Sequence, residues 1–155
     1  MKRTAALAFA VLTTIPLLSS SAQAMPAPVV PNPWDKRVHC TATDPDGRKI
    51  VTRMGNAAFG WKHFTYRHNI RVCKILTAAI KGKVDHNDHH GRLEYDGVAI
   101  RTGSQPRQVR FKVIVQYSRY TKDKKYDAGK GQKIGVINAY CRNQPNNKCP
   151  AWMNQ

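Results

Sequence analysis

Four cysteines, Cys40, Cys73, Cys141 and Cys149, constrain this chain more than any other feature. An even count in a small exported domain reads as a covalent framework, because an oxidising compartment drives thiols into disulfides. Each pairing fixes which segments must lie side by side, and four cysteines allow three of them. The segment from Cys141 to Cys149 (Cys-Arg-Asn-Gln-Pro-Asn-Asn-Lys-Cys) is rich in turn formers and can close on itself, leaving Cys40 with Cys73. A zinc knuckle is disfavoured, since no two cysteines have the close Cys-x-x-Cys spacing.

Export is read from residues 1–24. Lys2 and Arg3 form a positive start, Ala5 to Leu18 an apolar run, and Ala22-Gln23-Ala24 a small-residue cleavage site. The run is too short, and too soon interrupted by Ser19, Ser20 and Ser21, to span a bilayer. The expected mature chain has 131 residues, room for one core. Losing Lys2 and Arg3 takes the 26 basic residues to 24, against 9 acidic ones, so a large positive excess remains. Such a field attracts polyanions: nucleic acid, acidic wall polymers or anionic head groups.

Residues 25–36 form a proline-rich arm, with Pro26, Pro28, Pro31 and Pro33 opposing both helix and strand. Residues 37–155 are read as a single α+β domain. Arg37 to Thr43 and Arg48 to Arg53 are short strand candidates around the turn signal Asp44-Pro45-Asp46-Gly47. Gly55 and Gly60 bracket a small hinge, and Trp61 to Arg67 forms a short helix. Ile70 to Lys81 places Ile70, Cys73, Leu76, Thr77 and Ile80 at helical spacing, with Gly82 as a stop. Beyond it the period changes to two. Arg92 to Arg101 is a bent strand or a tight hairpin around Asp96-Gly97. Val109 to Tyr117 is a strand with Phe111, Val113 and Val115 on one face. Thr121 to Gln132 is a polar loop. Lys133 to Cys141 is the last strand, with Ile134, Val136, Asn138 and Tyr140 on one face. The expected fold is an N-terminal helical half packed on a three- to four-stranded antiparallel sheet, braced by disulfides, with the other sheet face open.

The chemistry concentrates in Gly60-Trp61-Lys62-His63-Phe64-Thr65-Tyr66-Arg67-His68. Two imidazoles can exchange protons near neutral pH, and the neighbouring Lys62 and Arg67 can neutralise phosphate. Five residues of helix separate the two histidines by about 140° around the axis, which opposes both meeting one phosphate. Either the helix ends before His68, as Asn69 permits, or one histidine acts alone, with His63 the first choice.

That segment, followed by the last strand Gly135-Val136-Ile137-Asn138-Ala139-Tyr140, resembles the bacterial ribonuclease toxins of the barnase, EndoU, colicin and RelE superfold, in its EndoU-like branch. The helix is similar to the family's Lys-His-(apolar)-x-x-x-His segment and the strand to its apolar-Thr-Ala-Tyr ending, with Asn138 standing where the family carries threonine. The resemblance implies a secreted, metal-independent endoribonuclease that needs no cofactor. RNA would be its substrate, cleaved through attack of the 2′-hydroxyl to a 2′,3′-cyclic phosphate, as in a toxin. It implies His63 and His68 as acid and base, with Asn138 and Tyr140 orienting the phosphate. Lys62, Arg67 and Lys112 are the candidate phosphate-stabilising cations. A neutralising protein inhibitor, or immunity protein, would partner a monomer that does not insert into membranes.

Two other clusters compete. Tyr117, Arg119, Tyr120, Lys122, Lys124, Lys125 and Tyr126 interleave aromatics with cations and read as an RNA-contact patch, with Arg119 and Tyr120 as substrate-binding candidates. Asp85-His86-Asn87-Asp88-His89-His90-Gly91 is dense in imidazole and carboxylate but matches no metal motif, and reads as an exposed turn. The alternative to an enzyme is a non-catalytic cationic secreted module that binds nucleic acid, wall polymers or a protein partner. A weaker third reading is metal-dependent hydrolysis centred on His86, His89 and His90.

Overall fold

A computed structural model of the chain describes residues 33–155. The 1–24 leader and residues 25–32 of the arm lie outside the described residues, and the arm's described end already belongs partly to the first strand. That strand, β1 (Asp35–Thr43), pairs antiparallel with β2 (Lys49–Gly55). The Asp-Pro-Asp-Gly turn joins them: the Gly47 amide donates to the Asp44 carbonyl at 3.0 Å, with Gly47 at a φ of 76°.

Two short helices follow, α1 (Gly60–His68) and α2 (Cys73–Ile80). A second sheet follows, of β3 (His86–Asn87), β4 (Arg92–Arg101), β5 (Arg107–Gln116) and β6 (Gly135–Cys141), antiparallel throughout in the order β3-β4-β5-β6, with two short 3-10 turns after it.

This overturns the expected helical N-terminal half. The first part of the domain is a β-hairpin, and the helices between the sheets have only nine and eight residues. The two strand candidates flanking the Asp44–Gly47 turn satisfy each other's backbone groups, so they form a sheet of their own. The described residues are mostly sheet, and two sheets rather than one.

One face of the larger sheet carries the core. Leu93, Tyr95, Phe111, Val113, Val115, Val136, Ala139 and Cys141 bury there against Phe64, Ile70, Leu76 and Ile80 of the helical segment and Ile50 of the hairpin. A smaller cluster of Phe59, Ala128 and Ile134, with Trp34 and Tyr126 packed on it, ties down the long loop before β6. The other sheet face is polar, with Arg92, Glu94 and Asp96 on β4 aligned beside Lys112 and Ile114 on β5 and Asn138 and Tyr140 on β6.

Two details of register matter. β4 is one ten-residue strand, not a hairpin. Gly97 permits it, because a Cβ at that position would sit 2.3 Å from the Phe111 ring that lies across it. In β6 the pairing slips between Ile114↔Asn138 and Val115↔Val136, a β-bulge at Ile137. Val136 therefore faces the core while Asn138 and Tyr140 face outward. The single alternation expected from Ile134 to Tyr140 is broken there, because a bulge inserts one residue and reverses the side-chain phase.

Of the three cysteine pairings, the fold uses Cys40–Cys73 and Cys141–Cys149. The first joins β1 to the start of α2. The second closes the loop after β6. No helix among the described residues is long and apolar enough to cross a membrane.

Candidate active site

Helix α1 carries both histidines, and its two ends are held differently. At its start, Gly55 and Gly60 do not form a hinge: they touch. A Cβ on Gly60 would lie 3.0 Å from the Gly55 Cα and 2.9 Å from the Arg53 carbonyl, with Gly60 at a φ of 80°. The Asn56 amide donates to the Phe59 carbonyl at 2.9 Å, and the Asn56 side chain accepts from the Ala58 amide at 2.8 Å. This tight loop presents the Ala57 carbonyl to His63, whose Nδ1 bonds it at 2.8 Å. A proton on Nδ1 satisfies that carbonyl and leaves Nε2 as the nitrogen free to exchange with a substrate.

At the far end, His68 shares with Trp61 and Phe64 the stripe that α1 turns inward. It is only 8% exposed, and its Nδ1 is buried without a hydrogen-bond partner. The helix stops immediately after it, at Asn69 in the left-handed conformation with φ 55°. The Asn69 side-chain amide donates to the Cys149 carbonyl at 2.9 Å, and the Cys149 amide donates to the His68 carbonyl at 2.8 Å. The disulfide loop is thereby fastened to the end of α1.

The five-residue spacing does not keep the imidazoles apart. Their ring centroids are 5.5 Å from each other, edge to face, and the His68 ring is 5.8 Å from the Tyr140 ring. The helix runs through His68, so the rings converge through their side chains rather than through an early helix end. Burial pushes the His68 pKa down from its ordinary value, and the neighbouring His63 and Arg67 push the same way, partly offset by the backbone of Asn146 and Asn147.

Tyr140 sits opposite Lys112, and Asn138 opposite Ile114. The Asn138 Oδ1 is a second buried atom without a partner. Lys112 is not a free cation. It pairs with Glu94 and lies 3.8 Å from Asp96, and Arg92 holds the other Glu94 oxygen at 2.9 Å. Burial pushes Glu94 up, but the hydrogen bonds from Lys112 and Arg92 outweigh it and its pKa falls. The chain Arg92, Glu94, Lys112, Tyr140, His68, His63 thus crosses the polar face from β4 to α1.

The other sequence candidates fall elsewhere. Lys62 lies 3.7 Å from Asp35 on β1. Arg119 makes a two-pronged pair with Asp127 at 2.7 Å and stacks on Tyr120 at 4.8 Å, both within the loop before β6. Tyr126 of the same patch packs on Phe59, and Lys133 lies over the Tyr117 ring. Most of that patch's aromatics hold the loop together. In the His86–His90 turn, Asn87 and Asp88 side chains accept backbone amides of His89, His90 and Arg92. The one group of potential metal ligands among the described residues is His39, Cys40 and Cys73, but its two sulfurs are bonded to each other.

Arg67 lies with Tyr66, His68, Asn146, Asn147 and Lys148 around a groove of about 590 Å³. Tyr66 and residues 146–148 were not singled out from the sequence. The Cys141–Cys149 closure, with the bonds from Asn69 and Cys149, brings the loop to the end of α1, and no local spacing encodes that contact. Ala57 and Glu94 escaped notice for the same reason: one acts through its backbone, the other through cross-strand pairing. No family model, no curated protein and no solved structure matches the chain.

Proposed function

We propose that this chain is an exported, metal-independent endoribonuclease, kin to the EndoU-like branch of the bacterial ribonuclease toxins. The observation that carries the reading is the convergence of the His63 and His68 rings beside Tyr140, on the polar sheet face of a strongly basic chain. Two buried polar atoms without partners, His68 Nδ1 and Asn138 Oδ1, lie on the residues of this same site. A third such atom, Trp152 Nε1, lies outside the site, and each buried unsatisfied group costs about 1–3 kcal/mol.

In this reading His68, held neutral by burial and by its cationic neighbours, accepts the proton of the 2′-hydroxyl. The 2′-oxygen attacks phosphorus, forming the cyclic phosphate as the bond to the 5′-oxygen breaks. His63 gives that leaving oxygen a proton from Nε2, while Ala57 holds its other nitrogen. The Tyr140 hydroxyl and the Asn138 amide donate to the phosphate oxygens, and Arg67 adds charge from the adjoining groove. The acid–base pair is built from imidazoles, and the open-face carboxylates Glu94 and Asp96 are already held by cations. Export is supported by the leader-like residues 1–24 and by the two disulfides. A producing cell would need a neutralising protein partner, and the active species is a monomer.

The test is incubation with total RNA in EDTA. Cleavage to 2′,3′-cyclic ends is expected, with His63→Ala and His68→Ala each losing about 10²–10⁴-fold. RNA left intact by the wild type, or cut equally well by His63→Ala, would overturn the reading.

A second reading, a non-catalytic cationic module, draws on the ion pairing of Lys62, Lys112 and Arg119. It expects salt-dependent binding of polyanions with no cleavage and no response to either histidine substitution.

A further inference from the structure

The groove at the end of α1 has the chemistry of a nucleotide site. Tyr66 is 85% exposed, although its ring is largely apolar. Beside it, Arg67 and Lys148 make no ion pair among the described residues, unlike Lys62, Lys112 and Arg119. Across the groove, Asn146 and Asn147 stand in left-handed backbone, at φ 53° and 55°, on a 3-10 turn. His68, nine-tenths buried and with an unpartnered Nδ1, lines the same groove. The disulfide and the two bonds from Cys149 and Asn69 hold these walls in place.

We propose that this groove is a subsite for one unstacked nucleotide of single-stranded RNA, adjoining the phosphate at His63 and His68. It rests on the ribonuclease reading for its neighbour, and deepens it by naming where a flanking base is held. The base stacks on Tyr66, Arg67 and Lys148 neutralise its phosphate, and the Asn146 and Asn147 side chains meet its hydrogen-bonding edge. A volume of about 590 Å³ suits one nucleotide rather than a duplex. The side-chain amides both donate and accept, which makes them the base-selecting elements.

The experiment uses a short 2′-O-methyl oligoribonucleotide, which lacks the attacking hydroxyl, so binding is read apart from cleavage. Fluorescence anisotropy should show Tyr66→Ala binding about tenfold weaker and Tyr66→Phe close to wild type, as stacking requires. Arg67→Ala and Lys148→Ala should each reduce the slope of log affinity against log salt by about 0.7. In parallel, Asn147→Ala should change which bases flank the cut sites in a mixed-sequence RNA. Tyr66 and Lys148 are surface residues, so these variants keep the fold, which circular dichroism checks. If the wild type cuts RNA but Tyr66→Ala binds equally well, the subsite is wrong and the nuclease stands. If the wild type binds through Tyr66 but cuts nothing, the nuclease is wrong and the subsite stands. Binding indifferent to Tyr66, Arg67 and Lys148 overturns the proposal in either case.

Discussion

His68 is a weak base made weaker by its position, and that has a consequence for stability. Its pKa falls on folding, so between the folded value and the ordinary imidazole value near 6.5 the unfolded chain binds more protons. The stability His68 confers is present above pH 6.5 and is lost as pH falls through the folded value. His68→Asn should therefore flatten the acid limb of a Tm-against-pH curve in that window, while leaving the curve above pH 7 parallel to wild type. An unchanged limb would mean that the ring does not titrate on its own. Asp44 behaves in the same sense at lower pH. Burial pushes its carboxyl up, but the Tyr95 hydroxyl at 2.8 Å and Arg48 at 2.7 Å outweigh burial and its pKa falls. Tyr95→Phe removes one of these donors from a buried carboxylate and should cost about 1–3 kcal/mol in urea unfolding.

At the scale of elements, the glycine loop before α1 and the bulge in β6 aim the site. Gly60→Ala places a Cβ against the Arg53 carbonyl at a positive φ, and nothing in backbone contact can give way. About 1–3 kcal/mol of strain is expected, together with a displaced Ala57 carbonyl, seen as a shift of the His63 imidazole resonances. A variant at wild-type stability would show that the loop can relax. The strands and helices themselves were largely readable from the residues. The Asp-Pro-Asp-Gly turn, the apolar stripe of α2 and the alternation of β5 all appear near the expected places, because each is a local pattern. The grouping of these elements was not. β1 and β2 pair with each other instead of yielding to a helical half, and β4 stays whole because Phe111 covers Gly97. The bulge at Ile137 is equally silent in the sequence, yet it decides that Asn138 and Tyr140 face outward while Val136 packs inward.

At the scale of the whole molecule, the two disulfides divide the work. Cys40–Cys73 closes 33 residues around the hairpin and α1, and Cys141–Cys149 closes only 8 residues around the groove. Losing the longer bridge should cost about 2–4 kcal/mol of stability. The Cys141→Ser, Cys149→Ser double variant should lose less stability but release the turn at Asn146 and Asn147. Amide exchange across 143–149 would then quicken while the four-stranded sheet stays protected. Equal exchange in both forms would show that the bonds to His68 and Asn69 suffice without the sulfur bridge.

What the residues by themselves determined was local and compositional: the positive excess, the four half-cystines, the turn signals, and two histidines in one short segment. Those follow from backbone preferences and side-chain chemistry that need no distant partner. Only the tertiary structure decided that imidazoles five residues apart meet, since their rings are turned by Ala57, by the αL stop at Asn69 and by the packing of α1 on β6. The same holds for the cations. Lys62, Lys112 and Arg119 are alike in sequence to Arg67 and Lys148, but acidic neighbours claim the first three, from other strands for the two lysines and from within its own loop for Arg119. Charge on a chain is a property of composition, whereas free charge in a site depends on what the fold brings beside it.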